Sequence, residues 1–281
     1  MKLQSLYLHL LIAAMLSGCV SGNVTSKPTP TFPTSMLLTP TLILSPVSTV
    51  TSHPIATLEP EQAKDAIRTL LQNTSNCESP CIWGIIPGQT MLGDTQNIFT
   101  HLAIPLVHTN TRDGKEFYSV TYNFDNGLGI TPTFTIQNNI VKNISLIIIP
   151  ETRQPGVPKN WQAYSPEVLI NKYGQPSKVD FLIGQAPSFI SYSMVMYFEV
   201  VDLIVEYHGN DLGGEPVSPK VCPLTDKFNI IRVWLGPNPE HPPFAGVPLE
   251  DAASMNLEEF SERMIGNLDS ACINLKEEML H

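Results

Sequence analysis

Apolar residues in the middle of the chain recur first at helical and then at strand spacing. Within residues 61–72, Ala63, Ala66, Ile67, Leu70 and Leu71 fall on one helical face, which predicts a short amphipathic helix. Thr90 is placed to cap a second helix carrying Ile98, Phe99 and Leu102. After Asp113-Gly114, runs at 117–124, 133–137 and 140–149 are alternating or β-branched and predict strands. Asn138-Asn139, between the last two, is a hairpin signal because asparagine tolerates positive φ.

The second half repeats this order. Ser165 at N-cap, Pro166 at N1 and Glu167 beside them start a helix whose inner face is Val168, Leu169 and Tyr173. Gly174 stops it and Pro176 prevents its resumption. Strand runs follow at 178–183, 190–199, 203–207 and 228–235, with 208–220, rich in Gly, Asn and Asp, predicted as a loop. After a proline-rich segment, 237–248, Leu257, Phe260, Met264, Ile265 and Leu268 mark a C-terminal helix. The recurrence predicts an α+β fold of two tandem helix-plus-antiparallel-sheet units, flanked by N- and C-terminal helices. The helices from Thr90 and Ser165 would correspond, and internal duplication is the simplest account. The expected divisions are 61–150 for the first unit with its leading helix and cysteine loop, 151–245 for the second, and 246–281 for the C-terminal helix.

The N-terminus is of another kind. Lys2, an apolar core from Leu6 to Met15 and small residues before Cys19 form a secretory signal over residues 1–18, too short to span a bilayer of ~20 apolar residues. Leu16-Ser17-Gly18-Cys19 resembles the lipobox of bacterial lipoproteins, which implies that Cys19 is acylated and becomes the first mature residue. An ordinary cleaved signal or a membrane-spanning anchor is the alternative. Residues 19–60 are built from Ser, Thr and Pro with Phe32 as the one aromatic, so they read as a tether. At ~3.1 Å per residue it reaches up to roughly 100 Å. The expected location is therefore the extracytoplasmic face of the cell membrane, held there by lipid.

Charge narrows the partners. The chain has 16 Lys+Arg against 26 Asp+Glu, a balance opposed to binding nucleic acid or anionic lipid, either of which needs a basic face. With Cys19 taken by lipid, Cys77, Cys81, Cys222 and Cys272 remain, and an even number in an exported chain predicts two disulfides. Three pairings are open. Loop closure favours Cys77–Cys81, which leaves Cys222–Cys272 to close a loop of ~50 residues at on the order of 4 kcal/mol.

Two segments carry a wider resemblance: Ile86-Pro87-Gly88-Gln89-Thr90 before a helix, and Tyr164-Ser165-Pro166-Glu167-Val168-Leu169 running into Lys172-Tyr173-Gly174-Gln175-Pro176. Together they resemble the BamE/SmpA-like lipoprotein domain and the β-lactamase-inhibitor-protein fold of tandem helix-plus-sheet units. Residues 77–90, with Pro80-Cys81-Ile82-Trp83-Gly84-Ile85, also resemble a segment of uncharacterised lipoproteins from Chloroflexi-type bacteria. Leu102-Ala103-Ile104-Pro105 departs from the pattern by lacking a glycine before its proline. The resemblance implies binding or scaffolding and carries over no catalytic residue.

Candidate chemistry is sparse. Cys77-Glu78-Ser79-Pro80-Cys81 fits a structural disulfide better than a redox or copper pair, because no parallel βαβ pattern follows. His53, His101, His108, His208, His241 and His281 show no metal-ligand spacing. Hydrolase elbows and phosphate loops are absent from the sequence, and Gly127-Leu128-Gly129 reads as a turn. Glu258-Glu259 and Glu277-Glu278 read as solvated faces, and His208, Asn210, Asp211 and Glu215 lack the alternation of a calcium loop. Trp83 and Trp234 suit a core or ledge, while Trp161, in the connector between units, is the candidate for a recognition surface. No metal and no cofactor is expected. The leading expectation is a non-enzymatic binding or scaffolding lipoprotein, attached to the membrane through its N-terminal lipid and meeting another envelope protein or a cell-wall component. The alternative is an exported hydrolase, or an enzyme inhibitor, whose site combines dispersed residues such as an unpaired Asp and His; converging titratable groups in a deep pocket would favour it.

Overall fold

The computed structural model describes residues 56–72, 80–124, 129–149, 162–186, 189–211, 220–222, 228–237, 246–266 and 272–280, all within the unit His53–His281. The signal segment, Cys19, the tether as far as residue 55, Cys77 and Trp161 lie outside the described residues, while Pro60, expected as the end of the tether, opens the first helix. Among the described residues, no helix is long and apolar enough to cross a membrane.

The elements in chain order are α1 (Pro60–Gln72), α2 (Leu92–His101), β1 (Val107–Arg112), β2 (Lys115–Ser119), β3 (Tyr122–Asn123), β4 (Gly129–Gln137) and β5 (Ile140–Ile149). They continue with α3 (Pro166–Tyr173), β6 (Lys178–Ala186), β7 (Phe189–Phe198), β8 (Leu203–Asp211), β9 (Lys220–Val221), β10 (Phe228–Leu235), β11 (Val247–Pro248), α4 (Leu249–Ala253), α5 (Leu257–Gly266) and β12 (Ile273–Asn274).

Local signals account for several boundaries. Asn138 and Asn139 take φ of 53° and 62° between β4 and β5, the twist a two-residue hairpin needs. Ser165 Oγ accepts from the Val168 amide at 3.3 Å, Pro166 opens α3, and Gly174 ends it at φ 83°. Thr90 acts differently from the expectation: its Oγ1 accepts from the Ile86 amide at 2.8 Å, closing a turn, and α2 begins beyond it without a side-chain cap.

The tandem arrangement is not what the chain forms. The structure is mostly antiparallel sheet, a single ten-stranded sheet with few helices. Its order is β1-β2-β4-β5-β10-β8-β7-β6-β11, with β3 also on β4. The join is β5 against β10, in register from Ile231↔Ile148 to Leu235↔Ile144. Its cause is physical: a free β5 or β10 would expose unpaired amides and carbonyls beside a row of isoleucines, leucines and valines, and pairing removes both edges. Residues expected in separate units therefore share one ladder.

Alternation along the strands sorts the sheet into two faces. One face, with Phe134, Leu146, Val233, Val205, Met194 and Phe181, belongs to the continuous core. The helices pack there: Phe99 of α2 meets Phe134 with ring centroids 5.5 Å apart, Tyr173 of α3 meets Phe198 at 6.1 Å, and Tyr207 Oη donates to the Tyr164 carbonyl at 2.6 Å just before α3. Phe260 and Met264 bring α5 into the same core. The expected C-terminal helix is thus two, α4 and α5, broken at Ser254 with φ 54°. Cys222 and Cys272 are joined by a disulfide at Cα–Cα 4.1 Å, next to the small β9–β12 sheet. Cys81 is disulfide-bonded as well, and the expected Cys77–Cys81 pair rests on a residue outside those described.

Candidate functional site

The opposite sheet face collects the charged residues that interrupt the inner strands. Lys178 and Asp180 come from β6, Ser193, Val195 and Tyr197 from β7, Ile204, Glu206 and His208 from β8, and Arg232 and Trp234 from β10. Register aligns them in rows: Lys178↔Tyr197↔Ile204↔Trp234, Asp180↔Val195↔Glu206↔Arg232, and Ser193↔His208. Cross-strand neighbours on one face lie ~4.5–5.5 Å apart at Cβ, close enough for direct pairing.

Each acid in this field is buried and paired with a cation. Glu206, with a side chain 2% exposed, accepts from Arg232 Nη1 through Oε2 at 2.8 Å. Lys178 Nζ meets Asp180 Oδ2 at 2.6 Å and stands 5.3 Å from the centre of the Tyr197 ring. Burial, with the nearby Asp180 carboxylate and a hydrogen bond to it, pushes the Tyr197 phenol up to about 12, so it stays protonated. Gly246 crosses so near that a Cβ there would sit 2.6 Å from Asp180 Cβ, which is why the crossing residue is glycine.

Ser193 and His208 extend the Glu206 pair into a chain of hydrogen bonds. Ser193 Oγ donates to Glu206 Oε1 at 2.7 Å and lies 3.1 Å from His208 Nδ1. A hydroxyl has one proton, and the carboxylate can only accept, so Nδ1 is the donor to Ser193. Partial burial pulls the His208 imidazole below its ordinary value; Arg232 acts in the same direction and Glu206 against it. The chain thus runs from neutral His208 through Ser193 to Glu206, which Arg232 closes. Val195 and Ile204, beside these groups in the same rows, are buried without joining the core on the other face.

Other predicted positions do not converge. His101 Nδ1 lies 2.6 Å from the Ala56 carbonyl, and His108 Nε2 lies 3.0 Å from Thr111 Oγ1 with its ring on Tyr118. Glu258 and Glu259 are exposed at the start of α5, where Glu259 meets Arg263 at 3.2 Å, and Glu277 and Glu278 are exposed in a short 3₁₀ turn. Asn210 and Asp211 end β8 rather than open a loop at His208, while Glu215 lies outside the described residues. Among the described residues no group of three or more His, Cys, Asp or Glu could hold a metal. Lys178, Asp180, Ser193, Glu206 and Arg232 were not anticipated as a group. The available signal was a single charge at alternate parity within apolar runs, Val205-Glu206-Tyr207 and Ile231-Arg232-Val233.

Comparison of the chain with protein-family models, with curated proteins and with solved structures finds no match.

Proposed function

We propose that the protein is a lipid-anchored, extracytoplasmic, non-enzymatic binding module that uses the sheet face opposite the helices to hold an envelope protein or cell-wall component. One observation carries this reading: that face presents Trp234, Tyr197 and Arg232 half-buried over charges already paired within the fold, beside the exposed Ile147 and Ile149 of β5. Tyrosine, tryptophan and arginine anchor interfaces most often, and internal pairing limits the desolvation cost when a partner covers them. The lipobox and the Ser/Thr/Pro tether supply the anchor and the reach.

The Ser193–His208 contact favours the hydrolase alternative less than its distance suggests. In a nucleophilic triad the histidine takes the serine proton and the acid orients the histidine. Here the serine hydroxyl donates its hydrogen bond to the acid instead, and the acid is itself held by Arg232.

A photo-crosslinking residue at Ile147, on the proposed surface, should give a discrete adduct in intact cells, lost in Trp234→Ala. The same residue at Ile265, exposed on α5, should not give it. Identical patterns at the two positions would defeat the surface assignment, and saturable ester hydrolysis abolished by Ser193→Ala would replace binding with catalysis.

A further inference from the structure

Past Trp234 the same sheet face continues over β5, β4 and β2, and its character changes there. One row, followed across the ladders, runs Trp234↔Ser145↔Thr133↔Ser119 on β10, β5, β4 and β2. All four residues are half-buried. Adjacent strands lie ~4.7–4.9 Å apart, so an indole is followed by three hydroxyls at that interval. None of the three hydroxyls is hydrogen-bonded within the fold among the described residues. Elsewhere the fold uses such groups itself: Thr69, Thr95 and Ser261 each donate to the carbonyl four residues back, and Thr90 accepts from an amide. No Lys, Arg, Asp or Glu belongs to the row. On one side Phe117↔Thr135↔Asn143 is uncharged, and on the other Thr131↔Ile147↔Arg232 brings a guanidinium that Glu206 already holds at 2.8 Å.

This chemistry selects among occupants. An apolar surface laid on the row would leave three hydroxyls desolvated and unbonded, at ~1–3 kcal/mol each. A protein is a poorer match, because interface cores are depleted in serine, and serine and threonine are scarce among the residues that dominate affinity. An anionic polymer would meet a cation that is already paired, on a chain of 16 Lys+Arg against 26 Asp+Glu. A neutral sugar answers both features of the row: its hydroxyls donate and accept as those of Ser and Thr do, and its ring lays an apolar C–H face on an indole. In a β-1,4-linked chain the sugars are extended and repeat at nearly the strand interval, so one sugar falls on each strand.

On the reading that this sheet face is the binding surface, we propose that the row takes an uncharged β-1,4-linked glycan laid across the strands. One sugar stacks on Trp234, and the next three hydrogen-bond in turn to Ser145, Thr133 and Ser119. The ligand of the face is then a polysaccharide rather than a protein.

The test titrates the full chain with N-acetylated chitin oligosaccharides of two to six sugars, read by calorimetry. Affinity should rise about a hundredfold from the dimer to the tetramer, two hydrogen bonds at about tenfold each, and level off beyond four. Maltotetraose, whose α-linkage curves the chain away from the row, should show no saturable binding. Thr133→Val, which keeps a β-branched strand residue and removes the hydroxyl, should weaken tetramer binding about tenfold. Thr100→Val, exposed on α2, should leave it unchanged. A rise that continues past four sugars, equal affinity for the α-linked chain, equal effects of the two threonine changes, or no saturable binding would overturn the glycan. If the Ile147 crosslink then still yields a protein adduct lost in Trp234→Ala, the binding face stands and only its ligand is wrong; identical crosslinks at Ile147 and Ile265 would remove the face itself.

Discussion

Glu206 concentrates the electrostatics of the sheet face at one carboxylate, because its side chain is 2% exposed while that of its partner Arg232 is 34% exposed. Removing the exposed member is therefore the severe change. Arg232→Met leaves a buried charge with, among the described residues, only the Ser193 hydroxyl to answer it and should cost about 3–5 kcal/mol in urea denaturation. Arg232→Met combined with Glu206→Leu removes both charges and should recover most of that loss; a single-variant cost under about 1 kcal/mol would mean that the pair behaves like a surface bridge. His208 adds a pH dependence of defined sign. Its folded value lies below the ordinary ~6.5, so as pH falls through that window the unfolded chain binds a proton that the folded chain refuses. Stability must then drop with acid. The melting temperature of the native chain should fall more steeply from pH 7.5 to 5 than that of His208→Gln; parallel curves would show that His208 is not the group responsible.

At the scale of elements, what was legible in the sequence is what neighbouring residues decide alone. The cap at Ser165, the Asn138-Asn139 turn and the stop at Gly174 each need only a few consecutive residues, and each stands where the pattern puts it. β1 shows the limit. Every residue of Val107–Arg112 is exposed, so no apolar period marks it, and it forms because β2 offers an edge to pair with. Gly209, Asn210 and Asp211 read as loop formers, yet they continue β8 against β7 in register with Tyr192, Ser191 and Ile190. Pairing overrides propensity in both places. The polar chain was hidden for the same reason: Ser193 and His208 meet only because β7 and β8 lie side by side, and a loop beginning at His208 takes it off the strand that holds Glu206. Nor does local periodicity say which edges will meet, so the β5–β10 join could not be read from it.

For the whole molecule, that join makes β10 the bridge between two groups of strands, and the Cys222–Cys272 disulfide encloses it. The closed loop spans 50 residues and contains β10, β11, α4 and α5. Beyond the bond, Ile273 pairs with Val221, Lys276 donates its amide to the Ala252 carbonyl at 2.8 Å, and Leu275 joins the core. The cross-link therefore ties the C-terminal segment to the same core that the central strand serves. Its loss should act on the entire fold, because a continuous ladder leaves no boundary at which half the sheet could unfold alone. In the chain-entropy account a loop of this length contributes about 4 kcal/mol. Cys222→Ala with Cys272→Ala should lower the unfolding free energy by roughly that amount while circular dichroism and tryptophan fluorescence still report one coincident transition. Two separated transitions would mean that the β5–β10 join does not couple the strands on either side of it, and a loss well under 1 kcal/mol would mean that residual structure already restrains the unfolded chain without the cross-link.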